Sequence, residues 1–139
     1  MQTRRSFIKK GCAACFGMSA FGILLQSCAS SQHIFKGSIH QKILSIPIEK
    51  FNTERSLIVR NADLEFDILV MKKEEGFGAV QMRCTHNDVA LSFSGKKLIC
   101  NAHGSEFDLQ GNVLREPAAK SLTTYRTTID GQQLSIHLL

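Results

Sequence analysis

Cys84-Thr85-His86 and, after thirteen intervening residues, Cys100-Asn101-Ala102-His103-Gly104-Ser105 form a near-mirrored pair of motifs. Each half offers one thiolate and one imidazole. Two sulfide-bridged iron atoms need four terminal ligands, and this set divides into two sulfurs for one iron and two nitrogens for the other. The close C-x-H and C-x-x-H spacings let each loop serve both metals. A tetrahedral zinc ion also takes two Cys and two His, although zinc spacings usually pair Cys with Cys and His with His. A Cys–His nucleophile pair would use one motif and leave the other unexplained.

Outward from these motifs the chain reads as all-β. Nothing shows a convincing helical period, and short apolar runs recur at regular spacing. Ile43–Ile48 alternates weakly and Leu57–Arg60 is a short apolar run. Phe66, Ile68 and Val70 alternate with Asp67, Leu69 and Met71, and Glu74-Glu75-Gly76 then turns the chain into Phe77–Arg83. Gln110-Gly111-Asn112 marks a tight turn. Leu122–Ile129 and Gln133–Leu138 flank Asp130-Gly131, a two-residue hairpin signal because both residues tolerate positive φ. Between residues 84 and 119 the strand pattern weakens and Gly, Asn, Asp and His accumulate, so a loop-borne site is expected there.

The stretch C-T-H…C-N-A-H-G-S-E-F-D, continued by G-N-V-L-R-E-P-A, L-T-T-Y-R and D-G, resembles a Rieske 2Fe–2S domain over residues 42–139, most closely from Cys84 to Pro117. The resemblance implies stacked antiparallel sheets with a small cluster-binding subdomain over residues 84–119. It implies a 2Fe–2S cofactor, with Cys84 and Cys100 on the buried iron and His86 and His103 on the outer one. Pro117 would cover the cluster on a third side. Ser105 stands where high-potential relatives place a hydrogen-bond donor to the cluster sulfurs. Phe107 stands where they place a tyrosine, keeping the ring and losing the hydroxyl. One donor kept and one lost implies a potential between the extremes of the family range.

Two departures bear on function. High-potential relatives join the two ligand loops by a disulfide, and the matching positions here are Val89 and Ala102. The loops are therefore expected to be held by packing of Val89, Leu91 and Phe93. Asn87 replaces the leucine that quinol-oxidising relatives carry after the first ligand histidine. This favours a protein redox partner, such as a cytochrome or molybdoenzyme, over quinol. Glu106 is expected to face solvent, Thr85 and Asp108 to hydrogen-bond within loops, and His33, His40 and His137 to stand apart from the site.

The N-terminal residues read as an address. Arg4 and Arg5 begin a basic stretch with Lys9 and Lys10, an apolar run follows from Gly11 to Leu25, and Leu25-Gln26-Ser27-Cys28 comes next. A charged start ahead of an apolar run of this length is a secretory signal. T-R-R-S-F-I-K resembles the twin-arginine export signal, a route that carries folded proteins. L-Q-S-C resembles a lipobox, with Gln26 where a small residue is usual, and so assigns lipidation to Cys28. Cleavage after Ala29 is the alternative. An uncleaved span is disfavoured, because about 20 apolar residues are needed to cross a bilayer. Cys12 and Cys15 leave with the signal, so Cys84 and Cys100 are the cysteines that remain for chemistry. The expected division is a signal peptide over residues 1–27, a tether over 28–41 and the domain over 42–139.

The net charge of +5 rests on the same segment. Without the four cations of the leader, thirteen basic residues stand against twelve acidic ones, and no basic stripe for nucleic acid remains. The sequence thus predicts a single-electron carrier, or the electron-transfer subunit of an oxidoreductase, with no catalysis of its own. It would be lipid-anchored on the periplasmic side of a bacterial envelope. A zinc-stabilised or cluster-free binding module is the competing expectation.

Overall fold

A computed structural model describes residues 33–139. The strands are β1 (Ile34–Lys36), β2 (Ser38–His40), β3 (Ile43–Pro47), β4 (Ser56–Arg60), β5 (Ile68–Lys72) and β6 (Phe77–Gln81). They continue as β7 (Ser92–Phe93), β8 (Leu98–Ile99), β9 (Glu106–Phe107), β10 (Val113–Arg115), β11 (Thr124–Asp130) and β12 (Gln133–His137). A single 3₁₀ turn, Ile48–Phe51, is the one helical element among the described residues, and no helix there is long and apolar enough to cross a membrane. The all-β expectation holds.

Eight strands form one sheet in the order β1-β4-β5-β6-β11-β12-β3-β2, and four form a second in the order β10-β9-β8-β7. The strands at the two ends of the large sheet, β1 and β2, are separated in sequence by Gly37 alone. One bent strand therefore bridges both edges, and the sheet curls upon itself, removing the open edges that invite aggregation. Gly37 is required at the bend. A Cβ there would lie 2.6 Å from Leu44 Cδ1 on β3 and 2.8 Å from Val59 Cγ1 on β4, the strands that pair with β2 and β1. Its carbonyl accepts a 2.7 Å hydrogen bond from Asn61 Nδ2.

This corrects the expected tether. Residues 34–40 belong to the domain, with β1 parallel to β4 and β2 antiparallel to β3. Composition concealed β2 because its turn into β3 uses Gln41 and Lys42, at φ of 49° and 62°, in place of the Gly or Asn that such turns favour. The last hairpin also differs by one position. Asp130 pairs with Gln133, so its turn is Gly131-Gln132.

The core has two compartments separated by the central strands. Inside the curl lie Leu44, Ile46, Leu57, Val59, Ile68, Val70, Leu134 and Ile136. On the other face Ile58, Leu69, Met71, Val80 and Met82 pack against the small sheet. Ile68-Leu69-Val70-Met71 is apolar without a break because both faces of β5 are covered. Each such side chain contributes about 1.5–3 kcal/mol on burial. The second compartment also contains Cys84, Cys100, Phe107, Ala118 and Leu122, so the ligand loops are built on a packed floor.

Candidate metal centre

The two motifs fold into matching loops. In the first, Cys84 N–H donates to Val89 O (2.8 Å) and Asp88 N–H to Cys84 O (2.9 Å). In the second, Cys100 N–H donates to Ser105 O (2.8 Å) and Gly104 N–H to Cys100 O (2.8 Å). In both, the fifth residue takes a left-handed conformation, Asp88 at φ 49° and Gly104 at φ 81°. Glycine adopts this without a Cβ penalty. Asp88 carries the penalty, and its carboxylate is held 2.8 Å from the Arg83 guanidinium. That contact keeps the Asp88 carboxyl below the usual carboxylate range.

Both cysteines are completely buried and both histidines are exposed. The two imidazole rings stand edge to face with centroids 5.0 Å apart. Sulfur therefore lies inward and nitrogen outward, two donors at each depth. At Cys100, burial raises the thiol pKa, but hydrogen bonds from His103 N–H, the Cys84 thiol and Ala102 N–H outweigh it. The net position is below the ordinary thiol value. The thiolate is the form that binds metal. Among the described residues no three Cys, His, Asp or Glu side chains converge on one ion position.

The surroundings are partly as expected. Val89 and Phe93 pack against the buried cluster that contains Leu91 and both cysteines, and the two described cysteines are free of disulfide. Ser105 is fully buried and its Oγ accepts a 3.0 Å bond from Ala118 N–H, leaving its own hydrogen available to a further acceptor. Phe107 is fully buried in the same cluster. Asn87 is exposed beside the histidines. His33 lies 3.1 Å from Glu54 and His137 Nε2 lies 2.9 Å from Thr128 Oγ1, both apart from the ligand loops. Asp108 accepts from the N–H groups of Gln110 and Asn112 and from the Asn112 side chain, closing its turn.

Pro117 follows a cis peptide bond and is exposed, and its neighbour Ala118 enters the buried cluster. One placement differs from expectation. Glu106 does not simply face water. It is paired with Lys97 at 2.5 Å and lies 3.9 Å from Arg115, because β9 sits between β8 and β10 and brings cations from both sides. Thr85 reaches out of its loop, its hydroxyl donating to Lys120 O at 2.5 Å. Together with the Ser105–Ala118 bond, this makes residues 118–120 a strap across both ligand loops. Sequence reasoning missed the strap, because backbone acceptors carry no residue signature. Arg4, Arg5, Cys12, Cys15 and Cys28 lie outside the described residues.

Residues 49–126 match the family model of the Rieske [2Fe-2S] domain. The plasma membrane Rieske protein PetC3 from the cyanobacterium Synechocystis PCC 6803 is similar at 28% identity and a TM-score of 0.54, over 65% of this chain and 93% of that one. A chain in the complex of reduced oxygenase and oxidized ferredoxin of carbazole 1,9a-dioxygenase shares the fold, with a TM-score of 0.53 and 16% identity over 70% of this chain and 94% of that one. No curated protein matches the chain. A 2Fe–2S cluster takes up and releases single electrons. With its family model matched across both ligand loops, the chain belongs to the Rieske [2Fe–2S] family and transfers electrons through such a cluster.

Proposed function

We propose that this chain passes single electrons between partner proteins in the bacterial envelope, with Cys84 and Cys100 holding the inner iron and His86 and His103 the outer one. The observation that carries this reading is the division of depth, buried sulfurs beneath exposed imidazoles whose rings are 5.0 Å apart. The inner thiolates isolate one metal from water. The outer imidazoles present the other to a docking partner, where the distance an electron must travel is shortest. Ser105 supplies a hydroxyl donor toward the cluster sulfurs, Phe107 seals the floor, and Pro117 covers the cluster on a third side, with its neighbour Ala118 packed into the buried cluster.

In this reading Arg4 and Arg5 direct export after the cluster is inserted, and a lipid on Cys28 retains the domain on the periplasmic face. Similarity to a plasma membrane Rieske protein supports a membrane association. Exposed Asn87 supports a protein partner, a cytochrome or the catalytic subunit of an oxidoreductase, over quinol. The loops hold together without the disulfide clamp, by packing and by the strap at residues 118–120.

The visible and EPR spectra of dithionite-reduced protein test the centre. The expected result is the signal of a mixed nitrogen- and sulfur-ligated 2Fe–2S cluster, with Cys84→Ser and Cys100→Ser each losing iron and colour. A colourless protein holding zinc and no iron would establish the binding-module alternative instead. The potential is expected well inside the range of about −150 to +300 mV, and voltammetry at either end would discard the role given to Ser105 and Phe107. Mass spectrometry of the mature N-terminus decides between a lipidated Cys28 and cleavage after Ala29.

A further inference from the structure

The leash between residue 28 and the domain is short, and it joins the domain far from the histidines. The chain is already fixed at His33, whose carbonyl accepts from Ile58 N–H at 3.1 Å and whose ring lies 3.1 Å from Glu54. From there β1 runs parallel to β4, Ile34 beside Ile58 and Lys36 beside Arg60. Arg60 grips Asp67, and the Asp67 carbonyl accepts from Met82 N–H, two residues ahead of Cys84. β1 therefore points toward the ligand loops and starts at the other end of the molecule. A cleft at that other end is lined by Arg55, Lys73, Phe93, Gly95 and Leu109, which places the distal turns of the small sheet there as well.

Five residue steps separate Cys28 from His33, a reach of about 17 Å when fully extended. A domain of 107 residues has a radius of gyration of about 13 Å and hence a diameter of about 33 Å. Pressing the histidine end onto a bilayer would require the leash to run most of that length. The expected tether over residues 28–41, with a reach of about 48 Å, would have allowed it. The incorporation of residues 34–40 into the sheet forbids it.

We infer that, anchored through Cys28, the domain holds His86 and His103 off the bilayer, so that its electron partner is a water-soluble protein docking from the aqueous phase. The inference rests on the lipidation proposed above.

Full-length lipidated protein with an oxidised, EPR-silent cluster is bound to vesicles carrying a nickel-chelating lipid, with a spin label at Thr53→Cys or at Ala119→Cys. Flotation tests the anchor separately. Wild type should float and Cys28→Ala should not, and a wild type that stays in solution removes the anchor and the inference with it. Given flotation, the label at residue 53 should be relaxed by nickel several-fold more than the label at residue 119. Equal or reversed relaxation overturns the inference while leaving the anchor intact. On the same vesicles the reduced cluster should pass its electron to the ferric haem of soluble cytochrome c as fast as detergent-released protein does. A several-fold slowing on anchoring would show the histidine end to be occluded and would also overturn it.

Discussion

The two ligand loops share one hydrogen-bond frame and reach it by different means. Each closes with the cysteine N–H on the carbonyl five residues on, and each turns through a left-handed fifth residue. The second loop uses Gly104 there and is backed by the buried Ser105 hydroxyl. The first uses Asp88, steadied by Arg83, and is tied down by Thr85 on Lys120 O. Their histidines also differ in place, third in the first loop and fourth in the second. The lesson is that a near-symmetric site rests on unequal supports, one interior and one at the surface. Equivalent substitutions in the two loops should therefore have unequal cost.

The largest difference is expected between the two strap contacts. Ser105→Ala leaves the buried Ala118 N–H without an acceptor, a loss of about 1–3 kcal/mol. It would also remove the donor proposed toward the cluster sulfurs, in which case stability and potential should fall together. Thr85→Val cuts a bond at the surface, where water can replace the donor, and should cost under about 1 kcal/mol. Denaturant titration and voltammetry of both variants measure the contrast, and equal losses would erase it.

The fifth positions provide the next contrast. Gly104→Ala meets no atom within 4 Å, so its cost is that of a left-handed alanine, about 1–2 kcal/mol. Asp88→Gly relieves the same strain while giving up the exposed Arg83 pair, and the two changes should nearly cancel. Thermal unfolding that finds both variants equally destabilised would mean that the Arg83 contact, and not backbone strain, governs the first loop.

Phe107→Tyr sharpens the comparison on the side of the second loop. Phe107 is fully buried in the cluster that holds both cysteines. A hydroxyl added there should raise the reduction potential with little change in the unfolding midpoint, and an unchanged potential would show that it does not reach the cluster sulfurs.

The smallest effect is electrostatic. Burial raises the Asp108 carboxyl, but the hydrogen bonds from Asn112, Gln110 and Gly111 outweigh it and hold the group below its ordinary value. A depressed carboxylate stabilises the fold above the unfolded-state pKa and loses that contribution as pH falls through the lower folded value. The turn behind the second loop should therefore weaken in acid, below about pH 4. Asp108→Asn should flatten that limb of the stability curve.

Much of the site was legible in the sequence because its chemistry is written in residue types. Four side chains of metal-ligating type at mirrored spacing, a serine after His-Gly and an apolar residue in place of each clamp cysteine need no coordinates to be noticed. The strand pattern was legible for β3 to β6 and for β11 and β12, and not for the short strands β7 to β10 between residues 84 and 119. It failed at Gln41-Lys42, where the tertiary structure holds two ordinary residues at positive φ. It was weak at Glu106, whose cation partners Lys97 and Arg115 come from the segments flanking β9.

By itself the sequence determined the all-β class, the donor set and its pairing into two loops, because these follow from local spacing and side-chain chemistry. Only the tertiary structure decided that residues 118–120 strap the loops, and that one strand bent at Gly37 closes the sheet and shortens the leash. Long-range hydrogen bonds and sheet closure depend on which distant segments come together. In a β fold that pairing is set by the whole core and not by any one stretch of chain.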